Sequence, residues 1–365
     1  MTRTLGYRGI AAVAVAAGLC SSIGFADTLT WTGLNNTTTN WSDATKWSSD
    51  GDHTYPQAGD TARLAVSVDQ WTTLQIGGGA AVGSLYAKPR WGSYRIKSDW
   101  SGTRTFSFNN SGNASVVTLT HGSNTYTGQL YMGVEGNAMN VSLANDLVIN
   151  SDGTTNRHGQ LTFGSHVTLT GGTALDRRTI TTQALGTNSR ITTSVSAAGA
   201  TFVGDWVVDG ISATLDMNTN AFGDASNSVT LMNGGVLDVV TLGSFSWTRD
   251  LSGTGTVKTT AGTFTVDTGS FSLAGADSTV DLLTFQGALA LGGSSTINIT
   301  GAIDEGDYII LTSDTGITGT FGTWNLGAGM SLVYGATDVT LHVVPEPASM
   351  ALLALGGLAM MRRRR

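Results

Sequence analysis

Short runs of β-forming residues, separated by Gly, Asn, Asp and Ser, dominate the middle of this 365-residue chain. Apolar and polar residues alternate within each run, which directs one face of a strand towards a core and the other towards water. The runs SVVTLTHGSNTYTG and GQLTFGSHVTLTGG, which begin at Ser115 and Gly159, are typical. Because no amphipathic helical pattern occurs between the two termini, the sequence predicts an all-β protein.

Such strands can build a sandwich, a barrel or a solenoid. About 240 residues of short strands without a long linker favour the solenoid, in which each coil stacks its strands on those of the next. Glycine is abundant, with 49 residues, and suits tight corners between strands, whereas only 4 prolines interrupt the pattern. We therefore predict solenoid repeats over residues 105–300.

One run resembles a known repeat. Leu119, Thr120 and Asn124–Gly128 match the L-T-L-T-G-x-N-T-Y-T-G signature of the autotransporter-associated β-strand repeat, with His121 as a one-residue departure. The run AFGDASNSVTLMNGGVLDV, which ends at Val239, resembles the portion that follows this signature in such repeats. The resemblance implies a right-handed parallel β-helix that is displayed outside the cell.

Residues 1–26 form a predicted secretory signal. Basic residues precede a ten-residue apolar run that is too short to cross a bilayer, and the sequence Gly-Phe-Ala that ends at Ala26 offers the small residues that a signal peptidase reads. We expect export by the Sec machinery and cleavage between Ala26 and Asp27. The only cysteine, Cys20, would leave with the signal, so the mature chain is expected to lack disulfides and thiolate metal sites.

Residues 345–365 form a second predicted signal. Pro345, Glu346 and Pro347 precede the apolar run ASMALLALGGLAMM, and the chain ends with four arginines, Arg362, Arg363, Arg364 and Arg365. This order closely resembles the PEP-CTERM sorting signal of Gram-negative bacteria, which implies that an exosortase-type transpeptidase recognises Pro-Glu-Pro and removes the tail. As a transmembrane helix the apolar run reaches about 21 Å, short of a hydrocarbon core of about 30 Å. It therefore suits a transient anchor with its arginines in the cytoplasm, before the body reaches the cell surface or the extracellular space. A permanent C-terminal anchor is the alternative.

Two further segments are predicted to cap the solenoid, because an open β-stack exposes its core and its unpaired strand edges. Residues 27–104 hold six of the nine tryptophans and resemble the start of many exported autotransporter-type and PEP-CTERM β-proteins. Residues 301–344 resemble the segment that commonly precedes Pro-Glu-Pro in such proteins, and we predict antiparallel strands there. Four aromatic residues would cover that end: Tyr308, Phe321, Trp324 and Tyr334.

The charge distribution argues against a nucleic-acid partner. The formal net charge is −7, and removing the six arginines of the two terminal signals leaves 13 basic residues against 26 acidic ones. No lysine or arginine occurs between Lys258 and Arg362. Since phosphate binding needs clustered lysines and arginines, we expect no binding to nucleic acid.

No complete motif for catalysis or metal binding occurs in the sequence; a solvated turn is the favoured interpretation of Asp304, Glu305 and Asp307, with calcium binding as the alternative. The five histidines are scattered, and neither H-E-x-x-H nor G-x-S-x-G occurs. We interpret His158 and His166, eight residues apart, as surface residues rather than metal ligands. The sequence therefore predicts no enzyme, no catalytic residue, no bound metal and no cofactor.

The stretch AKPRWGSYRIKSDWSGTRTFSF interleaves basic and aromatic residues. Aromatic faces stack on sugar rings, and cations pair with uronate or sulfate groups, so an acidic extracellular polysaccharide could bind here. A capping sheet with a cationic outer face and an aromatic inner face is the alternative. The candidate glycan-binding residues are Lys88, Arg90, Trp91, Tyr94, Arg95, Lys97, Trp100 and Arg104.

The leading functional hypothesis is an exported, non-enzymatic structural or adhesive protein of the cell surface or extracellular matrix, since a solenoid displays long polar faces. A β-helical polysaccharide-binding protein or polysaccharide-degrading enzyme is the alternative. A degrading enzyme needs clustered carboxylates with a basic residue on one face. Convergence in a groove of at least three of five residues would favour it: Arg177, Arg178, Asp205, Asp209 and Asp216.

Overall fold

The structure, a computed structural model, describes residues 26–33, 37–65, 71–89, 92–99, 101–120, 127–151, 158–185 and 189–344. The sorting tail and all of the predicted secretory signal except Ala26 lie outside these residues. Among these described residues, strands form nearly all of the regular structure, and the two short 3-10 helices are Ala44–Lys46 and Val240–Leu242. In the described part of the chain, no helix has both the length and the apolar character needed to cross a membrane.

The strands form three parallel stacks, because each strand pairs with its counterparts one coil earlier and one coil later in the chain. Val117, for example, pairs with Leu85 on one side and with Ile149 on the other. This arrangement confirms the all-β prediction and is that of a β-solenoid, whose predicted right-handedness stays a prediction.

The first stack consists of Thr28–Trp31, Thr61–Leu64, Ser84–Ala87, Ser115–Leu119, Leu147–Ser151, Arg178–Gln183, Gly204–Asp209, the starts of Ser228–Asp238 and Asp250–Val266, Ser270–Ala276, Thr296–Thr300 and Thr323–Asn325. The second consists of Thr38–Asn40, Thr72–Ile76, Ser93–Ser98, Thr127–Met132, His158–Phe163, Arg190–Val195, Ala213–Met217, the end of Ser228–Asp238, the middle of Asp250–Val266, the start of Leu283–Leu291 and the end of Gly306–Ser313.

The third stack is divided into two parts along the chain. The first part consists of Ala80–Val82, Arg104–Phe108, Met139–Leu143, Val167–Gly171 and Gly199–Ala200. The second part consists of Phe245–Trp247, the ends of Asp250–Val266 and Leu283–Leu291, and Ile317–Gly319. The short strand Thr279–Val280 pairs antiparallel with Ser270–Ala276 at the edge of the first stack.

The coils differ in length along the chain. Leu130 pairs with Leu161, 31 residues later, whereas Asp250 pairs with Ser270, only 20 residues later. Short coils leave little chain for corners, so the single strand Ser228–Asp238 serves two stacks and bends at Asn233 and Gly234, whose φ angles are 51° and 81°. Asn and Gly tolerate this left-handed region best, which explains the Asn-Gly-Gly sequence at the corner.

The core lies inside the coil and consists of inward-facing columns of apolar side chains. Leu85, Val117 and Ile149 form one such column and are 0–1% exposed. Two threonines, Thr182 and Thr193, also point inward, and their hydroxyl oxygens lie 2.7 Å apart in a buried hydrogen bond. Each hydroxyl thereby satisfies the other, which offsets the cost of burying a polar group.

An aromatic series fills the core of the short coils. Phe222, Trp247, Phe264, Phe285 and Phe271 follow one another with ring centroids 5.3–5.9 Å apart. All five side chains are fully buried. Large rings are needed here because a coil of about 20 residues carries few inward positions, and each aromatic side chain buries roughly 150–250 Å².

Tryptophans close the N-terminal end of the core. Trp47, on the strand Trp47–Ser49 that pairs antiparallel with Thr28–Trp31, lies edge-on to both Trp31 and Trp41, with ring centroids 5.2 Å apart in each pair. Trp47 Nε1 donates to the Trp41 carbonyl oxygen at 2.8 Å. Parallel coils already begin at Thr28, within the predicted capping region of residues 27–104.

Antiparallel strands close the C-terminal end. Asp338–Val343 pairs with both Gly306–Ser313 and Met330–Tyr334. Phe321 is 2% exposed and its ring centroid lies 5.8 Å from that of Phe271, at the end of the aromatic series. Tyr334 and Tyr308 are partly buried against the core, whereas Trp324, which we expected to help cover this end, is 57% exposed.

We predict that Phe264→Ala lowers the free energy of unfolding by about 3–5 kcal/mol, because it opens a cavity among three rings that cannot close around it. Trp324→Ala is the matched control. It should change the free energy of unfolding by less than about 0.5 kcal/mol, because the Trp324 ring is already exposed. Urea unfolding followed by circular dichroism measures both. Equal losses in the two variants would contradict the aromatic series as the support of the short coils.

Candidate functional site

Outward positions of the second stack carry one column of polar side chains, which is covered in its middle where Thr162 and Ser194 are buried. Register pairing aligns its members from coil to coil: Arg95, Tyr131, Thr162, Ser194, Asp216, Asp238 and Lys258. We call this set the outer column. Neighbouring strands in a sheet lie about 4.8 Å apart, so groups in adjacent coils can touch a common ligand.

An aromatic and cationic group lies at the N-terminal end of the outer column. The Trp71 ring is 46% exposed and stacks on the Tyr131 ring, with centroids 5.7 Å apart and planes inclined by 15°. The Arg95 guanidinium lies over the Trp71 ring and binds Glu135 Oε1 through Nη1 at 2.6 Å. We call Trp71, Arg95, Tyr131 and Glu135 the aromatic–cation patch.

The patch combines groups that suit a sugar ring. Two stacked aromatic side chains offer apolar surface, the guanidinium offers fixed positive charge, and the phenol offers a hydrogen bond. Burial raises the pKa of Tyr131, and the positive charge of Arg95 lowers it by less. The phenol therefore stays protonated near neutral pH and can donate.

The structure separates the predicted glycan-binding residues. Arg95 and Lys97 share the outward face of the second stack, where Lys97 pairs in register with Gln75. Tyr94, next to Arg95, points into the core and is 0% exposed, and burial raises its pKa. Lys88 follows a strand of the first stack, on another side of the coil. Arg90, Trp91 and Trp100 lie outside the described residues.

Arg104 belongs to a separate ion pair. Its Nε donates to Asp99 Oδ1 at 2.9 Å and its Nη2 to Asp99 Oδ2 at 3.1 Å. Hydrogen bonds from Arg104 and from Ser101 lower the pKa of Asp99 to about 2. The carboxylate thus neutralises this cation locally, and Arg104 makes no contribution to the aromatic–cation patch.

Sequence analysis missed Glu135 and also the two aromatic residues of the patch, Trp71 and Tyr131. They lie 60 positions apart in the chain. They meet because Arg95 pairs in register with Tyr131 of the next coil and with Thr73, two residues after Trp71, of the preceding coil. The signal for Tyr131 was its outward position in the run QLYM, but coil lengths were needed to place it beside Arg95.

The five residues named for an enzymatic site occupy separate places. Arg177 donates two hydrogen bonds, of 2.7 and 3.2 Å, to Asp205. Arg178 forms an ion pair with Asp176. Asp209 accepts from Gln183 and Asn233, while Asp216 lies on the second stack and accepts from Ser194 and Asn218. Among the five residues, these contacts thus join a single pair, Arg177 with Asp205. No three of them share a groove.

The outer column nevertheless holds a different grouping of charges. Asp216, Asp238 and Lys258 follow one another in register on consecutive coils. Burial raises the pKa of Asp216 and the charge of Asp238 raises it further, although hydrogen bonds from Ser194 and Asn218 act in the opposite direction. Two carboxyl groups with a lysine on one face are the elements that a polysaccharide-degrading site would need.

A third cluster lies under the N-terminal cap. The ligand atoms of Asp27, His53 and Asp60 lie within 4.8 Å of one another, an arrangement that sequence analysis did not anticipate. Asp60 is 0% exposed and accepts hydrogen bonds from the backbone nitrogens of Asp27 and Gln57 and from His53 Nδ1. Since protein N–H groups already occupy both Asp60 oxygens, the geometry is that of a hydrogen-bonded cluster.

The two histidines discussed above also occupy separate places. His158 is partly buried on the second stack, where its Nε2 lies 2.9 Å from Thr192 Oγ1. Burial lowers the pKa of His158, and the charge of Arg190 lowers it further. His166 precedes the third-stack strand Val167–Gly171 and contacts Ser165.

Comparison with known proteins identifies the C-terminal segment. A family model described as the PEP-CTERM protein-sorting motif matches residues 343–365. The match confirms the predicted sorting motif, indicates an exported protein that is sorted at its C-terminus, and associates the chain with exosortase processing. No curated protein and no solved structure matches the chain. The resemblance to the autotransporter-associated repeat stays a prediction.

Asp216 provides a test of the outer column. Because its pKa in the folded chain lies above the unfolded value of about 3.9, ionisation of Asp216 costs stability as the pH rises through the folded pKa. Asp216→Asn should therefore raise the thermal midpoint at pH 7 and lose this advantage near pH 4, as measured by differential scanning calorimetry.

Asp205→Asn is the matched control of opposite sign. Burial raises the pKa of Asp205, but hydrogen bonds from Arg177 and Ser228 outweigh it and leave the pKa lowered. The Asp205→Asn substitution should lower the free energy of unfolding by about 0.2–1 kcal/mol at pH 7. This loss of stability relative to the wild type should shrink as the pH falls below about 4. The same sign for both variants at pH 7 would contradict the assigned environments.

Proposed function

We propose that this chain is an exported, non-enzymatic structural or adhesive protein of the cell surface or extracellular matrix, sorted and processed at its C-terminal Pro-Glu-Pro signal. The match of residues 343–365 to the PEP-CTERM motif carries the proposal. The motif begins at Val343, the last residue of the strand Asp338–Val343. Pro345 thus follows the capped end of the solenoid directly in the chain.

The proposed route uses both terminal signals. The Sec machinery exports the chain, signal peptidase cuts between Ala26 and Asp27, and the short apolar run holds the tail in the inner membrane. Arg362–Arg365 keep the tail from passing through, because each charge is costly inside the bilayer. An exosortase-type transpeptidase then cuts at Pro-Glu-Pro, and the body reaches the cell surface.

The body suits a structural role for physical reasons. Inter-coil hydrogen bonds and an apolar interior stabilise it without disulfides, and the repeated coils present extended polar faces to solvent. Among the described residues, Arg177 with Asp205, Arg178 with Asp176 and Arg104 with Asp99 are engaged in local ion pairs. The pairing of these three arginines with neighbouring carboxylates supports a non-enzymatic role.

Binding of an acidic polysaccharide is the second candidate function, and the aromatic–cation patch favours it. Trp71 offers an exposed ring that Tyr131 and Arg95 hold in place. A uronate or sulfate group beside a stacked sugar could pair with Arg95 in exchange for Glu135. The enzymatic alternative would have to use Asp216, Asp238 and Lys258, and polysaccharide cleavage that Asp216→Asn abolishes would overturn the non-enzymatic proposal.

The sorting signal is tested at the C-terminus of the exported chain. Replacement of Pro345, Glu346 and Pro347 by alanine should trap full-length protein in the inner membrane, and deletion of Arg362–Arg365 should let unprocessed precursor escape. Replacement of the four arginines by lysine keeps the charge and should preserve processing. Intact-mass analysis of cell fractions measures each outcome, and an extracellular wild-type chain that still ends at Arg365 would contradict the proposal.

The aromatic–cation patch is tested by affinity for a uronate-containing polysaccharide. Trp71→Ala should weaken binding by about tenfold or more, because loss of an anchoring tryptophan contact costs on the order of 2 kcal/mol. Trp324→Ala removes an exposed tryptophan at the other end of the solenoid and should leave affinity unchanged. Equal affinities of both variants and wild type, with unchanged circular dichroism, would exclude the patch as the binding surface.

A further inference from the structure

The residue predicted to become the mature N-terminus is held in a buried polar cluster. Asp27 is 7% exposed, and its backbone nitrogen donates to Asp60 Oδ1 at 3.0 Å. Its side chain accepts from the His53 backbone nitrogen at 2.7 Å, and its carbonyl oxygen accepts from the Thr61 nitrogen at 2.8 Å. Asp27 is therefore fixed in place before the first strand begins at Thr28.

The cluster carries more negative than positive charge. Two carboxylates, Asp27 and Asp60, meet one histidine, whose Nδ1 lies 2.8 Å from Asp60 Oδ2 and 3.6 Å from Asp27 Oδ2. Asp60 is 0% exposed, so water cannot stabilise its charge. A buried carboxylate is stabilised by hydrogen bonds or by a positive partner, and a fixed positive charge at this place would stabilise the cluster further.

We propose that the Asp27–His53–Asp60 cluster is the docking site of the chain's own processed N-terminus, whose α-ammonium group forms a buried ion pair with Asp60. This inference rests on the proposed export route with signal cleavage. Hydrolysis of the Ala26–Asp27 peptide bond consumes one water: the carbonyl carbon of Ala26 becomes a carboxylate on the departing signal, and the Asp27 nitrogen becomes an ammonium.

The change at the Asp27 nitrogen converts one neutral hydrogen bond into a charged one. In the precursor this atom is an amide with a single N–H, whereas in the mature chain it has three N–H donors and a positive charge. Ala26 is exposed beside a cleft lined by Gly59, Asn110 and Ser111, so the bond to be cut lies at the rim of the cluster. Processing thereby completes the N-terminal cap.

The experiment compares two forms of the chain from Asp27 to Arg365 in detergent, one with a free α-amine and one with an acetylated α-amine. The acetyl group occupies the place of Ala26 and restores the neutral amide with its single N–H. The free-amine form should unfold roughly 2–4 °C higher, as expected for a modest stabilisation of a large chain. Asp60→Asn should remove this gap. Asp50→Asn should preserve it, because Asp50 accepts from the next nitrogen, that of Thr28.

Two outcomes would overturn the proposal: no gap in the wild-type chain, or the same gap in Asp60→Asn. If Asp60→Asn does not fold, the reactivity of the α-amine in the wild-type chain tests the proposal. An amine-reactive ester at neutral pH should label the α-amine of the folded wild-type chain, read out by peptide mapping, about tenfold more slowly than that of the urea-unfolded chain, because only a deprotonated amine reacts and the ion pair with Asp60 keeps it protonated. Equal labelling rates would also overturn it.

The N-terminal residue of the exported chain distinguishes a failure of this proposal from a failure of the proposed function. Intact mass of the exported chain should show Asp27 as its first residue, and any other N-terminus would overturn N-terminal docking while leaving C-terminal sorting untouched. A failure of sorting would appear instead as an exported chain that still ends at Arg365. The masses of the two ends thus report the two failures independently.

Discussion

Hydrogen bonding between consecutive coils is the interaction on which the rest of this structure depends. Each strand finds its partners one coil away, and the alternation of side chains then fixes which residues enter the core. A slip of one residue would turn the column of Leu85, Val117 and Ile149 towards water. Because the only cysteine lies in the predicted secretory signal, register and burial must stabilise the body without a covalent link.

The same register organises the surface. Side chains that face outward from the second stack repeat from coil to coil, so Arg95, Tyr131, Asp216 and Lys258 belong to one column although they lie far apart in the chain. A single face therefore changes from aromatic and cationic at one end to carboxylate-rich further along. An extended polymer is the kind of ligand that can contact such a linear arrangement at several coils.

The fold class could be predicted from the sequence because strand alternation is a local property, and the C-terminal motif because its three parts are contiguous. The aromatic–cation patch could not, since the coil length varies, for example between 31 and 20 residues, and no fixed period predicts which coils align. Tyr94 shows a different error. Alternation already required Tyr94 and Arg95 to face opposite sides, yet the basic and aromatic residues were grouped by proximity in the sequence.

A solenoid is quasi-one-dimensional, so each coil contacts only its neighbours and the two ends are where its core and strand edges would otherwise meet water. The N-terminal cap covers one end with Trp31, Trp41 and Trp47, and it also buries Asp60 beside the predicted cleavage point. The C-terminal cap places the sorting motif directly after its last strand. Both proposed cleavages thus act next to a cap and never within a coil. Among the described residues, processing would therefore break no inter-coil hydrogen bond, and at the N-terminus it would add a positive charge beside Asp60.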